Sequence, residues 1–190
     1  MDSDIYVKLN LELRSSNRAI LKKHFFPFLR VLMEALLQLP KSVGQITVYR
    51  GVTGDLLTTT NDQGGYVFVE GELWVSWAFM STTSKMSVIK NFLGDADPRT
   101  ILIINTKHAV DIGVFSAIPG EHEMLIPAGY VFRVVSVMRQ DGLSIVQLED
   151  AQVEPLIVCN GPKVCNPGRT LCDCLNATSF CFVQRHLLVL

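Results

Sequence analysis

Two glutamates, Glu121 and Glu123, stand one residue apart in "PGEHEMLIPAG", residues 119–129, just ahead of an apolar run. In an extended segment alternate side chains share a face, so both carboxylates point the same way, with Cα atoms about 6.6 Å apart. Like charges that close raise each other's pKa unless a cation or a cationic substrate lies between them. Such a pair suits glycosyl chemistry, in which an oxocarbenium-like centre develops positive charge. The other reading is an exposed charged rim. His122 faces away from the pair on such a strand, so it is expected to be solvated or to stand behind the site.

Two more polar residues interrupt apolar strand patterns. In "ITVYRGV", Ile46, Val48, Arg50 and Val52 share one face. A guanidinium cannot shed its charge, so among β-branched neighbours Arg50 calls for an anion, a carboxylate or a phosphate, gripped by its planar fork. Gly51 beside it leaves the backbone open to close approach. An internal salt bridge, or a strand end where Arg50 reaches water, accounts for the residue equally well. In "LWVSWAFMSTTS", Leu73, Val75, Trp77, Phe79 and Ser81 alternate on one face, and the hydroxyls of Ser81, Thr82, Thr83 and Ser84 end the strand. Those hydroxyls are either oriented donors or the cap of a following helix.

Elements able to hold these residues are legible. From Asn17 to Leu39, apolar Phe25, Phe28, Leu29, Leu32, Leu36 and Leu39 recur at helical spacing. Pro27 predicts a break with a second helix starting there, and Pro40 closes it. After Gly44 the period falls to two. "QITVYRGV", "ELWVSWAFMS", "RTILIINT", "YVFRVVSVMR" and "LSIVQLED" read as strands, and Asp141-Gly142 as a two-residue hairpin turn. A short helix fits "KMSVIKNFL", residues 85–93. Helices first and then strands with short connections make an α+β fold. Past Pro155 the periodicity ends, and no internal repeat is present.

At 190 residues, 48% hydrophobic and a formal charge of −1, the chain suits one domain with a real core. Its basic residues form no stripe, which argues against a nucleic-acid partner. The start, "MDSDIYVKLN", is polar and acidic, unlike a signal peptide, and no apolar run reaches the ~20 residues of a membrane span. A cytoplasmic protein with no membrane attachment, acting as a monomer, is the expectation. Phosphate-loop, dinucleotide-fold and nucleophile-elbow motifs are absent, and "HEMLI" lacks the second histidine of a zinc protease. The five cysteines are spaced C-x5-C-x6-C-x-C-x6-C from Cys159 to Cys181. Zinc is one reading of that tail. The preferred one is a reduced, poorly ordered segment, 156–190, outside a domain spanning 1–155.

An arginine on the first strand, Ser-Thr-Thr on the second and Glu-x-Glu further on resembles the mono-ADP-ribosyltransferases of the R-S-E type. "IYVKLNLELR", "VYRGV", "WAFMSTTS", "NFLG" and "FSAIPGEHEMLIPAGYVFRV" carry the likeness, which runs from about Tyr6 to about Asp150. Thr83 stands where that group commonly has serine, keeping the hydroxyl. The resemblance implies N-terminal helices followed by a two-sheet, mostly antiparallel β core. It also implies NAD as co-substrate, no metal, and a protein acceptor with an accessible arginine. By it, Arg50 holds the NAD phosphates, Gly51 offers its backbone to the nicotinamide amide, and Ser81 and Thr82 line the cofactor site. Ser81 orients Glu123, Phe92 stacks on nicotinamide (or is an ordinary core residue), and Glu123 binds the ribose and stabilises the cation. Glu121 receives the acceptor guanidinium. The secreted members of that group carry disulfides around the domain, whereas residues 1–158 here hold no cysteine, so their location is not carried over.

Three other functions remain open on these residues. An NAD glycohydrolase would use the same pocket with water as acceptor, and would not need Glu121. A silent binding domain of the same fold would have no reason to keep Arg50, Ser81 and Glu123 together. A retaining glycosidase usually takes its two carboxylates from separate strands.

Overall fold

The N-terminal apolar patterns fold as helices. A computed structural model describes residues 4–40, 44–60, 65–93, 97–116, 120, 122–159 and 180–182, with backbone alone at 4, 91, 92, 158, 159 and 180–182. Helix α1, Asp4–Arg14, buries Leu9 and Leu13, one turn apart, and turns Ile5, Tyr6, Val7 and Leu11 outward. The run from Asn17 forms a wide π-helical turn, Leu21–Phe25, that passes directly into α2, Phe26–Gln38. Pro27 lies in the first turn of α2, directly after the widened turn. The expected break is therefore a change of helical pitch, with the widened turn accommodating the ring. Leu29, Met33 and Leu36 bury one stripe of α2. Leu39 is already extended, as a residue preceding proline must be.

The strands are β1 (Ile46–Thr53), β2 (Leu73–Ser76), β3 (Met80–Thr83), β4 (Arg99–Thr106), β5 (Val110–Asp111), β6 (Glu123–Ile126), β7 (Tyr130–Gln140) and β8 (Leu143–Asp150), with helix α3 (Met86–Leu93) after β3. Asp141 and Gly142 take φ of 48° and 77° and bring Gln140 opposite Leu143, the mirror-image turn that matches strand twist. The order β2-β7-β8-β4-β1-β3-β6-β5 is antiparallel at every pair except β4–β8.

Residues 72–81 are not one strand, contrary to their unbroken alternation. β2 pairs with β7, whereas β3 pairs with β6 and β1. The chain crosses between them at Trp77–Phe79, and its partner segment crosses at Pro127–Gly129, where the Gly129 amide donates to the Ser76 carbonyl at 2.7 Å. Gly129 has φ 86° and a Cβ there would lie 2.7 Å from Ile157, so only glycine fits the corner. Trp77 then packs beside Ala151 and Leu156, and Phe79 beside the helices. Because consecutive strands β2 and β3 stand five places apart in the order, the sheet folds back on itself in two layers. Met80, Met124 and Ile126 of one layer meet Phe132, Val134, Val146 and Leu148 of the other in a single core.

Buried packing continues past residue 155. Leu156 and Ile157 are buried, Ile157 among Leu9, Leu13, Leu29 and Met33, and the Leu156 amide donates to the Gly129 carbonyl at 2.8 Å. Strand β9, Ile157–Cys159, pairs with β10, Phe180–Phe182. Cys165, Cys172 and Cys174 fall outside the described residues. Among the described residues no helix is long and apolar enough to cross a membrane.

Candidate active site

The site opens where two strands part. β1 pairs with β4 along its whole length but meets β3 at one pair, Tyr49↔Thr83. Next to that single pair, Arg50 Nη1 donates to the Ser81 carbonyl at 2.7 Å, a side chain standing in for the missing ladder. Burial lowers the Arg50 pKa from its ordinary value, and repulsion by Arg14 adds to the shift. The guanidinium still stays charged at neutral pH. Among the described residues no carboxylate lies within ion-pairing distance of Arg50, so the internal salt bridge has no partner there.

Across the gap, Ser81 Oγ donates to Glu123 Oε1 at 2.7 Å. The register explains this contact: Ser81 is opposite Leu125 and Thr83 opposite Glu123, so Ser81 and Glu123 are diagonal neighbours on one face. The Ile112 amide donates to the Glu123 carbonyl at 3.1 Å and holds the strand from its other side. The hydroxyls after Ser81 divide by position. Thr82 is buried and its Oγ1 donates to the Met124 carbonyl at 2.8 Å, so the hydroxyl expected at the cofactor is turned into the sheet. Thr83 Oγ1 accepts from the Lys85 amide at 3.1 Å and starts the turn into α3. Ser81 is thus a donor within the site, and Thr83 closes a local turn ahead of α3.

A cavity of about 120 Å³ lies between β1, β3, β6 and α3. Arg50, Ser81 and Glu123 supply charged and polar groups to its lining, Tyr49, Val88 and Ile89 apolar ones, and Gly51, Thr82 and Thr83 complete it. What approaches Gly51 closely is α3: a Cβ there would stand 2.7 Å from Leu93 Cγ. The side chain of Phe92, on the same helix, lies outside the described residues, as does Glu121. The alternation that aligned Glu121 with Glu123 stops short, because β6 begins at Glu123 and His122 has φ 48°. His122 itself is exposed.

Sequence reasoning passed over two residues of α1. Asn10 Oδ1 accepts the Phe79 amide of the crossing at 3.1 Å. Arg14, one turn on and bonded to the Asn10 carbonyl at 3.3 Å, is the cation that repels Arg50. Their i, i+4 spacing in "LNLELR" was the available signal, since it puts both on one face beside buried Leu9 and Leu13.

Residues 1–154 match the family described as NAD:arginine ADP-ribosyltransferase. No curated protein matches the chain. Similar solved structures include the ADP-ribosyltransferase Vis, a toxin from Vibrio splendidus, in complex with agmatine (24% identity, TM-score 0.57, covering 77% of this chain and 68% of that one). Exoenzyme S from Pseudomonas aeruginosa, in complex with human 14-3-3 protein beta and bound to carba-NAD, is similar over 92% of this chain and 77% of its own (20% identity, TM-score 0.57). A mutant of the eukaryotic mono-ADP-ribosyltransferase ART2.2 in complex with NAD is similar over 77% and 60% (25% identity, TM-score 0.58). The first two likenesses speak to the fold, which is the one described above. With a family match over residues 1–154, this two-layered chain belongs to the NAD:arginine ADP-ribosyltransferases.

Proposed function

We propose that the chain transfers ADP-ribose from NAD to the guanidinium of an arginine on a protein acceptor, releasing nicotinamide. The observation that carries this reading is Arg50, a half-buried cation with no carboxylate partner among the described residues, facing the Ser81–Glu123 hydrogen bond across one cavity. A phosphate of NAD is the anion such a fork fits, and Arg14 adds positive potential at the same place. At about 120 Å³ the cavity is well below the ~300 Å³ of a site that encloses a whole ligand. It suits the nicotinamide end alone, with the rest of the dinucleotide along the open cleft.

In the transfer, the glycosidic bond to the nicotinamide nitrogen breaks and the ring leaves as a neutral molecule. Strong acid assistance is therefore unnecessary. In this reading Glu123, hydrogen-bonded by Ser81, binds the ribose hydroxyl and stabilises the oxocarbenium ion. The acceptor nitrogen then bonds to the same carbon and loses a proton, for which Glu121 is the proposed partner. That Vis was solved with agmatine, itself a guanidinium compound, supports arginine as the acceptor class.

Nicotinamide release and agmatine modification, followed on the same preparations, test this. Glu123→Gln should lower both by ~10²-fold or more, as expected for a lost electrostatic contribution of ~3 kcal/mol. Glu121→Gln should abolish transfer to agmatine and leave NAD hydrolysis measurable. Wild-type agmatine modification by Glu121→Gln would refute arginine specificity. Full NAD turnover by both variants would reduce the pair to a charged rim.

A further inference from the structure

The polar edge of the cavity depends on where β3 begins, and β3 begins at a crossing that its own sheet does not hold. Trp77–Phe79 lie outside the strand ladders, and Met80 and Ser81 follow at once. Within the crossing, the Trp77 amide bonds back to the Val75 carbonyl at 3.1 Å and the Ser76 hydroxyl to the Ala78 carbonyl at 3.1 Å. The Phe79 amide is satisfied from outside, by Asn10 of α1. The same helix touches the crossing a second time through Arg18, whose guanidinium donates to the Glu12 and Leu13 carbonyls at the end of α1 and lies 4.8 Å over the Trp77 ring.

We infer that Asn10 is a positioning residue for the transferase reaction: through the Phe79 amide it fixes the start of β3, and so the placement of Ser81 and Glu123 against Arg50. The side chain is two residues in sequence from Ser81 at its point of contact, a lever too short to be absorbed by flexing of the chain. Ser81 is the residue that joins both sides of the site, its carbonyl to Arg50 and its hydroxyl to Glu123. A shift of its backbone therefore changes both contacts together, and misplacement by ~1 Å is enough to cost ~10²-fold in rate. The Asn10 carbonyl also accepts from Arg14, one turn on, whose charge repels Arg50. This inference rests on the assignment of Ser81, Glu123 and Arg50 to the NAD site.

Asn10→Ala removes the acceptor, and Asn10→Asp keeps an oxygen in its place. Asn10→Ala should lower kcat for nicotinamide release by ~10²-fold and speed amide exchange at residues 79–83, while the β1–β4 ladder stays protected. Asn10→Asp should restore kcat to within ~3-fold of wild type. Its added charge repels the diphosphate and acts on KM, so kcat is the deciding number. Wild-type kcat and wild-type exchange in Asn10→Ala would overturn the inference, as would Asn10→Asp failing to recover kcat with its fold intact. A wild-type protein that releases no nicotinamide would defeat the NAD reading instead, with the exchange measurement still deciding whether Asn10 holds β3.

Discussion

Arg50 occupies a place that folding alone does not favour. Its burial and the neighbouring Arg14 both oppose its charge, and one carbonyl is a weak return for that. A bound diphosphate would relieve both terms. Arg50→Lys keeps the charge and a donor for the Ser81 carbonyl but loses the planar fork. NAD affinity should therefore fall about tenfold or more, the loss of one charge-assisted hydrogen bond at ~1.5–3 kcal/mol. Melting of the protein without NAD should change little, and the upward shift of Tm on adding NAD should shrink. Titration calorimetry and paired melts check this; an Arg50→Lys protein that melts far lower without NAD would mean that Arg50 bridges an internal carboxylate. Arg50, Ser81 and Glu123 were legible because each breaks an apolar strand pattern. Thr82 borders the same cavity, but its hydroxyl is spent on the Met124 carbonyl, because neighbours on a strand face opposite ways. Asn10 and Arg14 escaped because a polar residue on a surface helix is ordinary until the crossing it touches is known.

The elements were read with uneven success, for a physical reason. β4 and β8 bury alternate residues, as their sequences alternate, because each pairs along most of its length. The segment 72–81 keeps the same alternation through Trp77 and Phe79, but tertiary contacts with Leu156 and with the helices pull those rings out of register. No local pattern records that. At Gly51 the missing side chain serves packing: α3 fills the space that a Cβ would take, while the residue still borders the cavity. Gly51→Ala brings a Cβ to 2.7 Å from Leu93 Cγ and 2.9 Å from its Cδ2. Overpacking of this kind costs about 1–3 kcal/mol. The cost should vanish in a Leu93→Ala background, so a two-by-two cycle of melts should show a coupling of about 1 kcal/mol or more. Additive effects would mean that α3 does not rest on Gly51. Because Val88 and Ile89 of the same helix border the cavity, the single variant should also bind NAD more weakly.

For the whole molecule, the question is where the folded unit stops. The family match ends at residue 154 and the periodicity fails near Pro155, yet the packing runs on to Ile157. Leu156 joins Val131 and Ala151 behind Trp77, and Ile157 closes the space between Gly129 and the two helices. Both residues thus brace the corners that carry the chain from one layer to the other, and with them the crossing that precedes Ser81. We propose that the catalytic unit ends just past them and that residues beyond Val158 add little to its stability. A protein ending at Val158 should melt cooperatively, within a few degrees of the full chain (~2–4 °C per kcal/mol), and bind NAD equally well. One ending at Pro155 loses two buried side chains at about 1.5–3 kcal/mol each, out of a net stability of ~5–15 kcal/mol for a domain. At ~2–4 °C per kcal/mol, its Tm should fall by roughly 6–24 °C. Because the corners loosen before the sheet does, NAD affinity should fall with it. Equal melting of the two truncated proteins would show that Leu156 and Ile157 are passengers. A Val158 protein that fails to fold would place the tail inside the domain, and a metal released on unfolding of the full chain would say how it is held there.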